Sequence, residues 1–345
     1  MADTILANYY DRRALINVAE ILKKPKTFLT STFFRNAQEF STKIVDVDIY
    51  EGKRRIASYV RRGSEGQLIE KRGYKTTPFE PPYLKPKIVI NMDDLRKRVP
   101  GESIFSDGRI VPEAEAFIAA KIDELDNEFI VRNIEIQAKQ AMYDGAVTAY
   151  DENNAVLSTI SFNRNALLTY QEQAADLWSA ATADMSASGR RASRLTSQYG
   201  GNPVNFALLG SDATTYFLKN TEVRQGISKD WSSRGQLAYD LRDNGGIWLG
   251  MLDGIDYWTY DEYSINPATG VEELLIPAKK VLYTNINSPR SLLYGGLELK
   301  AQPMGARGVK VYDIDDPEGT VVQVHCAPLC CDHHPNNTAV VTVLT

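Results

Sequence analysis

The sequence has few cysteines and histidines, two residue types that are common in enzyme sites, and it has no long apolar run. Its 345 residues include three cysteines and three histidines, all between His325 and His334. An odd, clustered set of cysteines does not form a secreted disulfide framework and fits a reducing compartment. No stretch of about 18 apolar residues could cross a bilayer, so we expect no membrane association. The N-terminus has acid and tyrosines where a signal peptide has a basic region and an apolar core, so no export is predicted.

The familiar phosphate-binding and catalytic motifs are also missing. Neither GxxxxGK[ST] nor GxGxxG occurs, and a Ser/His/Asp triad would have to take its histidine from one ten-residue segment. The carboxylates between Asp123 and Glu128 are best interpreted as a solvated helix face, because acid–base catalysis needs a cleft and separated pKa values. The sequence therefore predicts no catalytic residue and no cofactor.

The cysteine and histidine cluster leaves one enzymatic alternative open. Both residue types are preferred zinc ligands, and a cysteine beside a histidine can act as a nucleophile. Cys330 and Cys331, however, are adjacent and would point to opposite faces of a strand, and no CxxC pair is present. We favour a terminal strand with buried cysteines and no metal, and keep a zinc or thiol enzyme using residues 325–334 as the lesser alternative.

Positive charge is concentrated in one block. The chain has a net charge of −5, but Gly52 to Arg98 holds 13 Lys or Arg against 5 Asp or Glu, which leaves −13 for the remainder. Such a block could face nucleic acid, could pair with the acidic surface of another copy, or could simply be solvated. Since no recognition-helix or RNA-binding signature is present, only non-specific contact with phosphates is expected.

A proline-rich stretch, Lys71 to Asn91, lies within this block. It reads KRGYKTTPFEPPYLKPKIVIN, and its four prolines exclude a helix or a central strand and favour an extended chain. Its aromatic side chains need a surface, either on the same chain or on a neighbouring subunit. Upstream, Thr42 to Tyr50 and Arg54 to Arg61 alternate as strands and predict a long two-stranded loop without a core of its own.

The rest of the chain mixes helices and strands without regular βαβ alternation, so the predicted class is α+β. The predicted helical elements are an amphipathic arm from Asp3 to Lys24, a long helix from Pro112 to Met142, and helices from Asn165 to Ser186 and from Ser211 to Leu218. A hairpin is predicted from Ala146 to Phe162, and a turn or mobile loop from Ser186 to Gly201. Further strands are predicted over Val204 to Leu209, Ile255 to Tyr260, Lys280 to Thr284, Thr320 to Cys331 and Thr338 to Leu344, and the last two are expected to pair.

Several segments, taken in order, resemble the lambda-type major capsid proteins of tailed bacteriophages. These are FLTSTFFR at Phe28 to Arg35, DVDIYEGKRRIASYV at Asp46 to Val60, RGYKTTPFEPPYLKPK at Arg72 to Lys87, DELDNE and IQAKQAMYDG within Asp123 to Gly145, and CAPLCC at Cys326 to Cys331. Each is weak to moderate alone, but the resemblance extends over nearly the whole chain. The enrichment in cysteine and histidine is not part of the family pattern.

The resemblance implies the Hong Kong type capsid fold. Its parts would be an N-terminal arm (1–41), an extended E-loop hairpin (42–82), a P-domain (83–164) with a spine helix (112–142), an A-domain (165–317) and terminal P-domain strands (318–345). The implied function is a major head protein that assembles as pentamers and hexamers into an icosahedral shell around double-stranded DNA. An encapsulin-like nanocompartment shell is the alternative, since encapsulins look like the same fold.

The resemblance also implies partners and assembly residues. The partners would be other copies of the chain, a scaffolding protein, a portal, a decoration protein and packaged DNA, with assembly in the host bacterial cytoplasm and a final location in the virion. The expected inter-subunit residues belong to the E-loop and its junction: Arg54, Arg55, Arg61, Arg62, Lys71, Arg72, Tyr74, Phe79, Tyr83, Lys85 and Lys87.

Overall fold

A computed structural model describes residues 25–49, 59, 61–63, 65, 75–91, 121–180, 183–221, 223, 245–299, 304–315 and 318–345. The chain folds as two compact units. The first comprises residues 1–26, 84–133 and 307–326, and the second comprises residues 27–83, 134–306 and 327–345. The predicted amphipathic arm from Asp3 to Lys24 lies outside the described residues.

The first unit contains a three-stranded antiparallel sheet. Its strand order is β15–β16–β4, and its strands are β4 (Lys87–Asn91), β15 (Gly308–Asp315) and β16 (Glu318–His325). A single bridge from Leu84 to Cys326 extends the pairing beyond β4. The proline-rich stretch therefore enters this sheet in an extended conformation, as its four prolines predict.

The long helix is confirmed where the structure describes it. Residues 121–124 are α-helical, Leu125–Val131 form a π-helical segment, and α-helical geometry resumes at Arg132–Tyr143. The helix ends before Gly145, whose φ of +68° is one that glycine adopts without a Cβ clash. The predicted first part, residues 112–120, lies outside the described residues.

The core of the second unit is a six-stranded sheet with the order β7–β18–β13–β8–β10–β9. Its strands are β7 (Thr169–Gln171), β8 (Phe206–Leu209), β9 (Ile247–Leu252), β10 (Ile255–Thr259), β13 (Lys280–Thr284) and β18 (Thr338–Thr342). Every residue of β8 is buried, as expected for an uninterrupted apolar run at the centre of a covered sheet. The predicted strands at 204–209, 255–260 and 280–284 are thus confirmed, and so is the helix at 211–218, which spans Ser211–Lys219.

Smaller sheets complete the second unit. A three-stranded sheet has the order β1–β14–β17, with β1 (Asn36–Glu39), β14 (Arg290–Tyr294) and β17 (Pro328–Asp332). Three hairpins pair β2 (Val45–Ile49) with β3 (Lys75–Phe79), β5 (Ala146–Tyr150) with β6 (Val156–Ser161), and β11 (Tyr263–Ile265) with β12 (Glu272–Leu274). The β5–β6 hairpin confirms the prediction for residues 146–162. Among the described residues, no helix is both long and apolar enough to span a membrane.

Two predictions between residues 165 and 201 are wrong. The expected helix over 165–186 is replaced by a 3-10 turn at Ala166–Leu168 and by β7, which pairs with β18. The expected loop over 186–201 is instead the helix Met185–Tyr199, which is capped by the Asp184 carboxylate accepting from the Ala187 amide. The segment is helical because Asp184 caps it and because Met185 and Ala192 pack in the core, which overrides the weak helix propensity of its serines and glycine.

The prediction for the C-terminal strands is also partly wrong. The run from Thr320 to Cys331 is divided at Cys326 and Ala327 into β16 and β17, which lie in different sheets. The strand expected at 338–344 is β18, but it pairs with β13 and β7 and not with the preceding run. Alternation along a sequence identifies strands but carries no information on their partners.

Candidate assembly surface

The predicted E-loop has a paired base in the structure. The antiparallel register runs from Val45 opposite Phe79 to Ile49 opposite Lys75. The observed partner of the first strand is 75–79. Most of the predicted second strand, 54–61, lies outside the described residues. Val45 and Phe79 are buried, and the Phe79 ring packs edge-on against Phe162 at a centroid distance of 5.8 Å. Pro78 is tolerated because β3 has a partner on one side only in the part of the chain that the structure describes.

Both ends of this loop meet one short segment of the body, Gly295–Glu298, which we call the shelf. The Gly296 amide donates to the Thr42 carbonyl at 2.9 Å, and the Glu298 amide donates to the Tyr83 hydroxyl at 3.1 Å. A Cβ on Gly296 would lie 2.5 Å from the Ser41 carbonyl oxygen, so only glycine allows the chain this close. The shelf thus fixes the origin of residues 50–74.

The loop base also carries an exposed ion pair. Lys43 Nζ lies 2.9 Å from the Glu80 carboxylate, and Glu80 raises the pKa of Lys43 above its usual value. Both side chains are largely exposed, so the pair contributes little to folding. Its position nevertheless links the two ends of the loop, close to the first residue pair of the hairpin.

The predicted assembly residues fall into three groups. Outside the described residues are Arg54, Arg55, Lys71, Arg72 and Tyr74. Exposed in the described part of the chain are Arg61, Arg62, Lys85 and Lys87, of which the last two belong to the first unit. Phe79 is buried within its own chain, and Tyr83 is held by the shelf. The inter-subunit role of all three groups stays a prediction.

A second anchor, which sequence reasoning missed, holds the segment after the N-terminal arm. The short helix Phe28–Phe33 has its first amides capped by the buried Glu135 carboxylate, which accepts from the amides of Leu29 at 2.7 Å and Thr30 at 3.0 Å. Burial raises the pKa of Glu135, and these hydrogen bonds act in the opposite direction. A Cβ on Gly246 would lie 2.1 Å from the Phe28 ring, so this glycine makes room for that ring.

The geometry of the cysteine and histidine cluster does not favour metal or thiol chemistry. Among the described residues, no group of three or more His, Cys, Asp or Glu side chains is placed to hold a metal ion. All three cysteines are buried and free of disulfides. Burial raises the pKa of Cys326 and of Cys331 to about 12, so neither forms a thiolate readily near neutral pH. Cys330 is equally enclosed and lies near the Ile134 carbonyl.

A buried ion pair lies beside this cluster in the second unit. Arg290 Nε is 3.3 Å from the Asp332 carboxylate, and both side chains are inaccessible to solvent. The guanidinium also donates to the hydroxyls of Thr284 and Thr338 and stacks over the Phe33 ring. The pair therefore connects β13, β14, β17 and β18 with the helix at 28–33, and it has a structural role.

Solved structures identify the fold of the chain. A prophage protein of Escherichia coli CFT073 described as a capsid protein has a TM-score of 0.66 at 17% identity, with 99% of this chain and 98% of that chain covered. A phage-related protein from Bordetella bronchiseptica gives 0.51 at 10% identity, covering 98% and 96%. The encapsulin complex from Synechococcus elongatus gives 0.50 at 9% identity, covering 98% and 95%. The chain has the Hong Kong type capsid fold.

The sequence comparisons then give the family. The profile of the family described as phage major capsid protein E matches residues 11–343, and the chain belongs to this family. It is 24% identical over 349 residues to the P21 prophage-derived major head protein of Escherichia coli O6:H1, covering 97% of this chain and 99% of the relative. The major capsid protein of Enterobacteria phage P21 matches with the same identity and coverage.

Proposed function

We propose that this chain is the subunit of a phage head, and that its copies assemble as pentamers and hexamers into an icosahedral shell enclosing double-stranded DNA. The family match over residues 11–343 is the observation that carries the proposal. On this basis the protein acts by assembly and not by catalysis. Its further partners would be a scaffolding protein, a portal and a decoration protein, with assembly in the bacterial cytoplasm before the virion is complete.

The loop base supports an assembly role for residues 50–74. These 25 residues connect the paired strands 45–49 and 75–79, both ends of which are fixed to the shelf. They contain seven Lys or Arg and three Asp or Glu, a local charge of +4 in a chain whose net charge is −5. A basic loop on an acidic chain is suited to bind the acidic surface of a neighbouring copy.

Electron microscopy of the purified chain tests the proposal. The chain, expressed alone and with the assembly factors of its phage, should yield shells, capsomers or tubes. A protein that remains monomeric under all of these conditions would contradict the proposal. The contents of native particles separate the alternatives, because DNA supports the phage head and a packaged protein cargo supports an encapsulin-like compartment.

Charge reversal tests the role of the loop. Arg54→Glu together with Arg55→Glu should impair assembly and leave the circular dichroism spectrum and thermal unfolding of the subunit unchanged. The matched control is Arg194→Glu with Lys219→Glu, an equal charge change at exposed helix residues of the body. Equal shell yield from both double variants would argue against an interfacial role for the two loop arginines.

A further inference from the structure

Two hairpins of the second unit lie side by side. The side-chain amide nitrogen of Asn154, in the β5–β6 turn, is 3.6 Å from where a Cβ of Gly270, in the β11–β12 turn, would lie. Tyr150 of the first hairpin and Ile265 of the second line the same cleft. The two hairpins therefore form one continuous part of the surface.

These two hairpins expose large apolar side chains beside the acidic Glu272 and Glu273 of β12. They expose five large side chains, each between 59% and 69% accessible, which we call the hairpin patch: Val156, Leu157, Tyr263, Ile265 and Val271. Together they present on the order of 500 Å² of mostly apolar surface, in the upper part of the range for the largest patch on a soluble monomer. Patches of this size commonly mark an interaction site.

The edge of the patch has one of the usual features that limit pairing, a register shift between β5 and β6 at Tyr150, but it has no charge. Strand β6 reads VLSTIS, without a charged residue, and within the described part of the chain it pairs only with β5. Edge strands of soluble proteins normally carry charge, proline or a bulge that prevents association. The edge strand β15 of the first unit does so, because Lys310 and Asp313 are exposed along it. The lack of charge in β6 fits a strand that is covered in the working form of the protein.

We propose that the hairpin patch docks on a second copy of this chain and is buried when copies assemble. The inference rests on the proposed function, since a shell places identical chains in contact at high local concentration. An apolar face of this size, matched by an equal area on its partner, would bury about 1,000 Å² in total, which is the lower bound for a specific interface. Beyond the register shift, the uncharged residues 158–161 of β6 also allow main-chain pairing with the neighbouring copy.

Thiol labelling tests burial of the patch directly. The three native cysteines are buried, so maleimide reports on an introduced cysteine, with the unmodified chain as background. Leu157→Cys should label readily in free subunits and about tenfold or more slowly in assembled particles, as expected for the core of an interface. Leu167→Cys is the matched control, because Leu167 is 59% exposed and lies outside the patch. Equal labelling of the Leu157→Cys variant in free subunits and in assembled particles would overturn the inference.

A charged substitution separates this inference from the proposed function. Leu157→Asp should retain the thermal unfolding midpoint of the subunit, because the side chain is already exposed, and should reduce the particle yield. Leu167→Asp should retain both the unfolding midpoint and the particle yield. If the unmodified chain forms no particles, the proposed function fails, and this inference fails with it. If the unmodified chain and the Leu157→Asp variant form particles in equal yield, or if both aspartate variants lose yield equally, only the hairpin patch is refuted.

Discussion

In the six-stranded sheet, four strands have partners on both sides, whereas β2 and β3 of the loop base pair, among the described residues, only with each other. The same contrast holds for charge. Arg290 and Asp332 form an ion pair with side chains 0% and 1% exposed, whereas the side chains of Lys43 and Glu80 are 77% and 58% exposed. In the body, the buried Arg290 guanidinium also donates to the hydroxyls of Thr284 and Thr338. The loop base leaves its charged side chains Lys43 and Glu80 largely in solvent, while its aromatic side chain Phe79 is buried.

This difference distinguishes the residues of the body sheets from those of the loop base, which the composition of the sequence alone does not separate. Residues of the body sheets determine whether the chain folds, since their side chains pack together on folding. Residues of the loop base determine where residues 50–74 begin, and only their apolar members Val45, Val47 and Phe79 are buried among the described loop-base side chains. Four substitutions or conditions test how complete this separation is, beginning with the largest expected effect.

Removal of one partner of the buried ion pair should destabilise the body most. Asp332→Ala leaves the Arg290 guanidinium buried without its carboxylate and should lower the free energy of unfolding by about 3–5 kcal/mol. Asp332→Asn retains an acceptor oxygen for Arg290 and should lose less. Urea denaturation of both variants measures the difference. A loss below about 1 kcal/mol for the alanine variant would show that the pair is dispensable.

A methyl group on the shelf should disturb the loop base and not the body. The added Cβ in Gly296→Ala would meet the Ser41 carbonyl at 2.5 Å, and overpacking of this kind costs about 1–3 kcal/mol. Gly295→Ala is the control, because the atoms nearest its Cβ would belong to side chains and not to the backbone, the Pro81 ring at 3.1 Å and the Ala327 Cβ at 3.5 Å. Hydrogen exchange should show faster opening of residues 41–47 in the first variant, while the six-stranded sheet keeps its protection. Loss of protection throughout the body would contradict the separation.

Acidification should weaken the body through His333. Burial lowers the pKa of His333, whose Nε2 lies 2.6 Å from the Ser291 hydroxyl. The unfolded chain therefore takes up the proton first as the pH falls through the usual histidine range near 6.5, and stability falls with it. The stability difference between pH 7 and pH 5.5 should be smaller for His333→Asn than for the unmodified chain. An unchanged difference would assign the effect to other groups.

Removal of the exposed pair should have the smallest effect. Lys43→Ala removes a cation that is well solvated, so the unfolding transition of the subunit should not change measurably. The assembly yield is the second readout, because the residue lies at the root of the loop. A clear shift of the unfolding transition would show that the exposed pair supports folding after all.

Much of the fold followed from patterns within single segments. The apolar run of β8, the long helix up to Gly145 and the hairpin at 146–162 depend on local periodicity, which a sequence displays. Strand partners and the helix at 185–199 depend on contacts distant in sequence, such as the packing of Ala192 in the core. Local propensity alone gave the wrong result there.

The candidate site was only partly accessible to the same reasoning. Composition indicated the basic block, because charge is a property of the sequence itself. The shelf was not foreseen, since a glycine pair at 295–296 has many possible roles until the Ser41 carbonyl is seen against it. Glu135 was missed for a similar reason, because its partners at Leu29 and Thr30 are more than 100 residues away.

The shelf has a mechanical consequence. Since Gly296 holds one end of the loop and Glu298 the other, any tension applied to residues 50–74 acts on both strands together. The force is then divided between two attachment points two residues apart and passes into β14, which pairs with strands on both sides. A pull from a neighbouring particle subunit would thus load the interior of a sheet and would not peel a single strand from its edge.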